Sequence, residues 1–228
     1  GLISTVENVI AGIVIPSTHT TPDAVSLAKL MKEMFDNDCE YIFMEVSSHA
    51  LDQDRTSGVQ FKAALFTNIT HDHLDYHKTF LSYINAKKKF FDDLTSSSIA
   101  IINTDDKNGR VMVQNCDAKV LTYGLKSLVD YKCKVLGNDI SGLQLKINNH
   151  EVNFLMSGEF NAYNLLAVYA LAIELEEDET KVLSILSTLQ GAEGRMQKVI
   201  DVKTGKVGII DYAHTPDALE NVLKTIND

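Results

Sequence analysis

The sequence of 228 residues contains no tryptophan, three prolines and three cysteines. The cysteines are odd in number and far apart, which argues against a disulfide framework or a CxxC metal site and indicates a reducing compartment. No apolar run is long enough to span a membrane, and the N-terminus lacks a signal-peptide pattern. Basic residues are few, 21 against 31 acidic ones, and the net charge of −10 argues against broad binding of nucleic acid.

Apolar residues make up 45% of the chain, which is enough for a substantial core. Apolar runs at Tyr41–Val46, Lys62–Thr67, Ile99–Asn103 and Lys119–Tyr123 predict buried strands, and helical patterns lie between them. We therefore expect an α/β fold with a mostly parallel sheet flanked by helices.

Three shorter runs, separated by turn residues, predict a small antiparallel β meander at Tyr131–Leu136, Leu143–Ile147 and Val152–Met156. Further helices are predicted at 79–94, 161–175 and 179–189. A hairpin with Thr204-Gly205 at its turn follows.

The sequence Thr-Pro-Asp-Ala occurs twice, at 21–24 and 215–218, and each copy precedes a helical pattern. We expect the threonine to be the N-cap in both copies. Composition shifts near residues 203–211, so a first domain is expected over 1–205 and the start of a second over 206–228. The first residues already read like a domain interior, and we expect the sequence to be part of a longer protein.

Polar clusters follow the first two predicted strands. Glu45, Ser47, Ser48 and His49 come after the first; Asn68, Thr70, His71, Asp72, His73, Asp75 and His77 come after the second. Ligands of open α/β sheets bind beyond the carboxyl ends of the strands, and such side chains could hold a divalent cation and, through it, phosphate oxygens. Any one of these residues alone is equally typical of a solvated loop or a satisfied core position.

An ordered set of motifs resembles the Mur ligase family of ATP-dependent amide-bond-forming enzymes, and it covers nearly the whole chain. The nearest likeness is to the branch that adds the third residue of the peptidoglycan stem peptide. The pair Glu-Val-Ser-Ser-His and Asp-His-Leu-Asp-Tyr-His is its most specific part. The matching segments are 20–23, 44–49, 66–68 with 72–77, 86–87, 158–161 with Asn164, 194–196 and 211–216.

The family's phosphate loop, G-x-x-x-x-G-K-[ST], does not occur in this sequence. The resemblance therefore implies a central ATPase domain whose phosphate-loop portion is missing, without the family's uridine-binding domain and with only the beginning of its third domain. A chain of this extent is expected to be inactive by itself.

The activity that the resemblance implies is formation of an acyl phosphate from ATP and the D-glutamate carboxyl of UDP-N-acetylmuramoyl-L-alanyl-D-glutamate. A diamino acid, meso-diaminopimelate or L-lysine, then attacks it. ATP and Mg²⁺ are the implied cofactors. The implied enzyme is cytoplasmic and monomeric and serves cell-wall synthesis, and through it cell shape and division.

The resemblance also assigns residues. Glu45 and His73 would bind magnesium, together with Lys87 if it is carbamylated, and these three form the implied catalytic set. ATP contacts would be Asn161, Asn164, Arg195 and Asp211. The muramoyl substrate would be held by Thr20, Thr21, Ser47, Gln53 and Arg55.

Each assignment has a plainer alternative. Imidazole is not a typical magnesium ligand, and Lys87 could be solvated or contact a phosphate. Asn161 and Thr21 could be helix caps, and Asp211 could cap the helix that follows it. Lys88 and Lys89 are expected on a solvated face.

The sequence is also compatible with three other functions. The spacing of His71, His73 and His77 is compatible with a metal-dependent hydrolase. A chain without a phosphate loop could be a non-catalytic module that binds a nucleotide sugar. A folylpolyglutamate synthetase-like ligase would share the scaffold.

Overall fold

The structure, a computed structural model, describes residues 1–227 and their side chains except those of Asp217 and Asn227. Its strands are β1 (Leu2–Ile3), β2 (Glu7–Ile10), β3 (Ile13–Pro16), β4 (Phe43–Met44), β5 (Ala63–Phe66), β6 (Ile99–Asn103), β7 (Lys119–Gly124), β8 (Tyr131–Asp139), β9 (Gly142–Ile147), β10 (His150–Phe154), β11 (Gln197–Ile200) and β12 (Val207–Ile210). Its helices are α1 (Ala24–Asp36), α2 (Ser48–Asp52), α3 (Leu74–His77), α4 (Phe80–Asp92), α5 (Gly109–Met112), α6 (Glu159–Glu174), α7 (Glu179–Thr188) and α8 (Pro216–Asn227).

The main sheet has six strands in the order β10-β9-β8-β7-β6-β5. Strands β5 to β8 pair in parallel, and β8, β9 and β10 pair antiparallel. The predicted α/β class and the predicted meander are both confirmed. The meander continues the parallel sheet because β8 is long: its start pairs with β7 at Tyr123↔Tyr131, and its remainder pairs with β9.

Strand β6 lies at the centre of the core, and all five of its residues are buried. Ile99 and Ile101 belong to a cluster with α6 and α7, while Ala100 and Ile102 belong to a second cluster with α4 and α5. Side chains of a strand alternate between the two faces, so helices cover both faces of β6. This explains why β6 is a continuous apolar run in the sequence.

The first part of the chain forms a separate four-stranded sheet in the order β3-β2-β1-β4. Its strand β4 is shorter than the predicted Tyr41–Val46, because its parallel partner β1 has only two residues. The backbone continues the ladder by one bond, from the Glu45 N–H to the Ile3 carbonyl at 2.9 Å. That bond leaves Glu45 at the carboxyl end of β4.

The two Thr-Pro-Asp-Ala copies begin their helices differently, so the prediction of one shared cap was wrong. At α1 the N-cap is Asp23, whose carboxylate accepts hydrogen bonds from the N–H groups of Val25 (3.1 Å) and Ser26 (3.0 Å). At α8 the hydroxyl of Thr215 accepts from the Ala218 N–H at 3.3 Å. Thr21 cannot cap α1 because its hydroxyl bonds elsewhere.

One alternative and one further local prediction were wrong. Asn161 does not cap α6: it lies inside the first turn, where its Nδ2 donates to the Ser157 carbonyl at 2.7 Å. Lys88 is not solvated, because its side chain is 11% exposed and pairs with Asp92 one turn later. Lys89, as predicted, lies on an exposed face.

The C-terminal elements follow the prediction, with β11 and β12 forming an antiparallel hairpin before α8. Within residues 1–227, no helix combines the length and the apolar character needed to cross a bilayer.

Candidate functional site

Thr21 joins the loop before α1 to the end of β4. Its hydroxyl donates to the Glu45 carbonyl at 2.9 Å and accepts from the Ser47 N–H at 3.1 Å, and the residue is 1% exposed. Ser47 in turn caps α2, since its hydroxyl accepts from the Ala50 N–H at 3.2 Å. The buried hydroxyl therefore fixes the backbone on both sides of the first polar cluster.

The Glu45 side chain is exposed and lies among hydroxyl groups. Its Oε2 accepts from the N–H of Thr5 at 3.2 Å and from the Thr5 hydroxyl at 2.5 Å. The Thr5 hydroxyl is also 3.0 Å from that of Thr20. Sequence reasoning missed Thr5, which follows β1; because β1 and β4 are parallel, recognising β1 would have placed Thr5 at the same edge.

A second group of predicted substrate residues is connected by hydrogen bonds. The guanidinium of Arg55 donates to the Thr21 carbonyl at 2.9 Å and, through Nε and Nη2, to Gln53 Oε1 at 2.9 and 2.6 Å. Gln53 Nε2 donates to the hydroxyl of Tyr76 at 3.1 Å. Thr20, Thr21, Ser47, Gln53 and Arg55 thus share one network with Glu45.

His73 lies in a cluster of rings formed by α2, α3 and α4. It has a left-handed backbone (φ 55°), and its ring centroid is 5.0 Å from that of His49 and 5.7 Å from that of Tyr83. His77 Nε2 is 2.9 Å from the Ser48 hydroxyl. Burial lowers the pKa of both His49 and His77, and a neighbouring imidazole lowers each further.

Lys87 approaches the same cluster from α4. Its Nζ is 5.6 Å from the centroid of the Tyr83 ring, and burial lowers the pKa of its ammonium group. Burial and the nearby Asp72 carboxylate raise the pKa of Tyr83 to about 12. His73 and Lys87 therefore contact one aromatic ring, and sequence reasoning gave Tyr83 no role beyond its place in the predicted helix 79–94.

The described residues hold no group of three His, Cys, Asp or Glu side chains arranged to bind a metal. Magnesium is usually held by one or two carboxylates, substrate phosphates and water. The exposed Glu45 carboxylate at a strand end suits that mode. The three histidines suggested for a hydrolase are engaged separately: His71 packs edge-on against Phe80 at 4.4 Å, whereas His77 contacts Ser48.

An open cleft of about 400 Å³ lies beyond the carboxyl ends of β5 and β6. Asn68 and Thr70 of the second polar cluster line it, together with Asn164 of α6. Asn164 Nδ2 donates to Asn161 Oδ1 at 3.2 Å. A larger cavity of about 650 Å³ lies at the opposite ends of these strands, beside Lys62 and Ser98 and away from both polar clusters.

Asp105 forms part of the wall of the cleft that Asn68, Thr70 and Asn164 line. Its carboxylate accepts hydrogen bonds from the backbone N–H groups of Leu125, Lys126 and Ser127. It also accepts from the hydroxyls of Ser127 and Tyr163. Burial alone would raise the pKa of Asp105, but these hydrogen bonds outweigh it and lower the pKa to about 2.

Arg195 and Asp211 lie together beside the β11–β12 hairpin. The Arg195 guanidinium stacks over the Tyr212 ring at 5.1 Å, and the Asp211 carboxylate accepts from the N–H groups of Met196 (2.8 Å) and Ala213 (2.7 Å). The alternative that Asp211 caps α8 was wrong, because Thr215 makes that bond. Asp211 instead secures the loop that carries Arg195.

Comparison with known proteins agrees with this geometry. The sequence profile of the Mur ligase middle domain matches residues 1–172. The chain belongs to the Mur ligase family. This Mur ligase chain is 55% identical over 228 residues to the UDP-N-acetylmuramoyl-L-alanyl-D-glutamate--2,6-diaminopimelate ligase of Cytophaga hutchinsonii, covering 100% of this chain and 47% of that protein. It is 53% identical, with the same coverage, to the ligase of that name from Parabacteroides distasonis.

The structural comparison agrees. A solved UDP-N-acetylmuramoyl-L-alanyl-D-glutamate--2,6-diaminopimelate ligase superimposes on this Mur ligase chain with a TM-score of 0.77 and 32% identity, covering 93% of this chain and 45% of that one. The chain thus spans about half the length of the curated relatives it matches.

Proposed function

We propose that the full-length protein containing this chain is an ATP-dependent ligase. It joins 2,6-diaminopimelate to the D-glutamate carboxyl of UDP-N-acetylmuramoyl-L-alanyl-D-glutamate in peptidoglycan synthesis. The supporting observation is the hydrogen-bonded network of Thr20, Thr21, Ser47, Gln53 and Arg55 around Glu45. Relatives more than half identical to the chain carry the name of this activity.

The reaction places two anions in contact, a carboxylate and the γ-phosphate of ATP. The carboxylate oxygen attacks phosphorus, ADP leaves, and an acyl phosphate forms. The amine of the diamino acid then attacks the acyl carbon, loses a proton, and inorganic phosphate leaves. Arg55 and the hydroxyls of Thr20 and Ser47 are suited to hold the anionic sugar-peptide in position.

Glu45 and His73 would hold Mg²⁺, whose contribution is to neutralise charge on the phosphate oxygens. Lys87 would join them as a carbamate, formed when its neutral amine adds CO₂ and releases a proton. Its lowered pKa favours the neutral amine that this step needs. Removing CO₂ should lower activity, added bicarbonate should restore it, and a full-length Lys87→Met variant should show neither response.

The nucleotide would lie in the cleft lined by Asn164, with Asn161 behind it. Arg195 and Asp211 would close on the nucleotide from the hairpin side. In this proposal residues 1–205 belong to the central domain and 206–228 begin the next one. The enzyme would act as a cytoplasmic monomer.

Phosphate release tests the proposal. Full-length protein with ATP, Mg²⁺ and the UDP-muramoyl dipeptide should release phosphate when meso-diaminopimelate is added, and much less with L-lysine. The isolated 228-residue chain, which lacks a phosphate loop, should release none. Phosphate release that does not depend on either diamino acid would contradict the proposal.

A further inference from the structure

Four side chains form a line of hydrogen bonds across α2, the loop after it and α3. The Tyr76 hydroxyl donates to the Asp52 carboxylate at 2.8 Å, and Gln53 Nε2 donates to the Tyr76 oxygen at 3.1 Å. At the other end, Arg55 donates two bonds to Gln53 Oε1 and one to the Thr21 carbonyl. Tyr76 and Asp52 carry no role in the function proposed above.

The chemistry of its two ends fixes the direction of this line. A carboxylate only accepts and a guanidinium only donates. The single Tyr76 proton is given to Asp52, so the Tyr76 oxygen must accept from an N–H. Gln53 therefore presents its NH₂ to Tyr76 and its carbonyl oxygen to Arg55, and the reverse orientation would set donor against donor at the guanidinium.

Tyr76 is itself held firmly. Its ring lies against the His49 ring with centroids 4.1 Å apart, and the His77–Ser48 bond ties α3 to α2 a second time. Gln53, by contrast, is an exposed side chain with several rotatable bonds. The half-buried phenol thus holds the nitrogen of the Gln53 amide, while Arg55 holds its oxygen.

The orientation of the Gln53 amide matters because it determines where the remaining N–H groups of Arg55 are held. Three of its five N–H groups are used on Gln53 Oε1 and the Thr21 carbonyl, and within residues 1–227 the other two are available to an anionic ligand. Turning the Gln53 amide would release the guanidinium from that position. Fixing a flexible binding group in advance reduces the entropy lost when the ligand binds.

We propose that Tyr76 and Asp52 are positioning residues for the UDP-muramoyl substrate, acting through Gln53 on the guanidinium of Arg55. This rests on the proposed function, in which Arg55 holds that substrate and Gln53 belongs to the same network. Neither positioning residue contacts ATP or the diamino acid in this scheme. Their loss should therefore weaken one substrate selectively.

The test compares full-length Tyr76→Phe with wild type, using Tyr41→Phe as the matched control, since Tyr41 is an exposed tyrosine on the approach to β4. Tyr76→Phe should raise the KM for the UDP-muramoyl dipeptide about 5- to 10-fold, the size of effect of one hydrogen bond. Its kcat should stay within about twofold, its KM for ATP should not change, and Tyr41→Phe should match wild type.

Asp52→Asn reaches the same amide from the other end and keeps the proposal testable if Tyr76→Phe fails to fold. An amide at position 52 can donate to Tyr76, which frees the phenol proton to turn towards Gln53 and favours the reversed amide. Asp52→Asn should also raise that KM, and the double variant should be no worse than Tyr76→Phe, because both act through Gln53.

The outcomes separate the two proposals. If wild type ligates and both variants keep its KM for the UDP-muramoyl dipeptide, the positioning role is overturned while the ligase function stands. A fall in kcat with unchanged KM, or equal rises in both KM values, overturns it too. If wild type does not ligate at all, the proposed function fails and the positioning role falls with it.

Discussion

The buried hydroxyl of Thr21 and the backbone carbonyl of Glu45 are joined by a 2.9 Å hydrogen bond. Through this bond the loop that carries the proposed substrate contacts Thr20 and Thr21 is attached to the strand end that carries the proposed magnesium ligand. The backbone thereby fixes the loop of the proposed substrate contacts relative to the strand end of the proposed cation ligand.

Thr21→Val should destabilise the chain by about 2 kcal/mol, because the Glu45 carbonyl and the Ser47 N–H lose their partner in a buried setting. Thr21→Ser keeps the hydroxyl and should recover most of that loss. Urea unfolding of the 228-residue chain measures both. Equal midpoints for valine and serine variants would show that the hydroxyl does not hold the loop.

Tyr83→Leu should lower the kcat of the full-length ligase at least tenfold, because His73 and Lys87 both pack on the ring that is removed. Tyr83→Phe keeps the ring and should stay within about threefold of wild type. Steady-state phosphate release distinguishes them. If phenylalanine were as harmful as leucine, the hydroxyl rather than the ring would be responsible.

Lys87→Met should raise the free energy of unfolding of the isolated chain at pH 7 in CO₂-free buffer. Burial lowers the pKa of Lys87, so a charged ammonium is held at a cost at any pH below that lowered value. The cost disappears as pH rises through the folded pKa towards 10.5, and the variant's advantage should shrink with it. Lys29→Met, at an exposed site on α1, is the control and should gain nothing.

Asp105→Asn should lower the free energy of unfolding at pH 7 by on the order of 1–2 kcal/mol. The folded pKa of about 2 lies below the ordinary carboxyl pKa of 3.8, so the carboxylate stabilises the fold above pH 3.8 and loses this effect as pH falls towards 2. The difference in free energy of unfolding between wild type and Asp105→Asn should therefore narrow as pH falls from 3.8 to about 2. Asp36→Asn, in an exposed i,i+4 pair with Lys32, should change stability by less than about 0.5 kcal/mol.

The strands of the core were predictable because their signal is local. The run Ile99–Asn103 is apolar throughout and coincides with β6, since helices cover both of its faces. The length of β4 was not predictable, because it is set by a partner strand about 40 residues earlier in the chain. The cap at Thr21 was wrong for the same reason, because a distant segment decides it. The two tetrapeptides are identical, but the Thr21 hydroxyl bonds to the Glu45 carbonyl whereas the Thr215 hydroxyl bonds to the Ala218 N–H.

The motifs indicated which residue types form the candidate site but not how they connect. Thr5 and Tyr76 bond directly to proposed site residues. Thr5 lies outside every matched motif, and Tyr76 lies within the 72–77 motif but was given no role there. Tyr83 brings His73 and Lys87 together only because α3 packs against α4.

Oxygen isotopes give a direct test of ligation through an acyl phosphate. The full-length protein would be given UDP-N-acetylmuramoyl-L-alanyl-D-glutamate labelled with ¹⁸O in the D-glutamate side-chain carboxyl, together with ATP, Mg²⁺ and meso-diaminopimelate. Mass spectrometry of the released phosphate should find one ¹⁸O atom per phosphate, because the carboxyl oxygen that attacks phosphorus leaves with it. Phosphate that carries no ¹⁸O would show that water attacks ATP, and it would contradict the ligase mechanism.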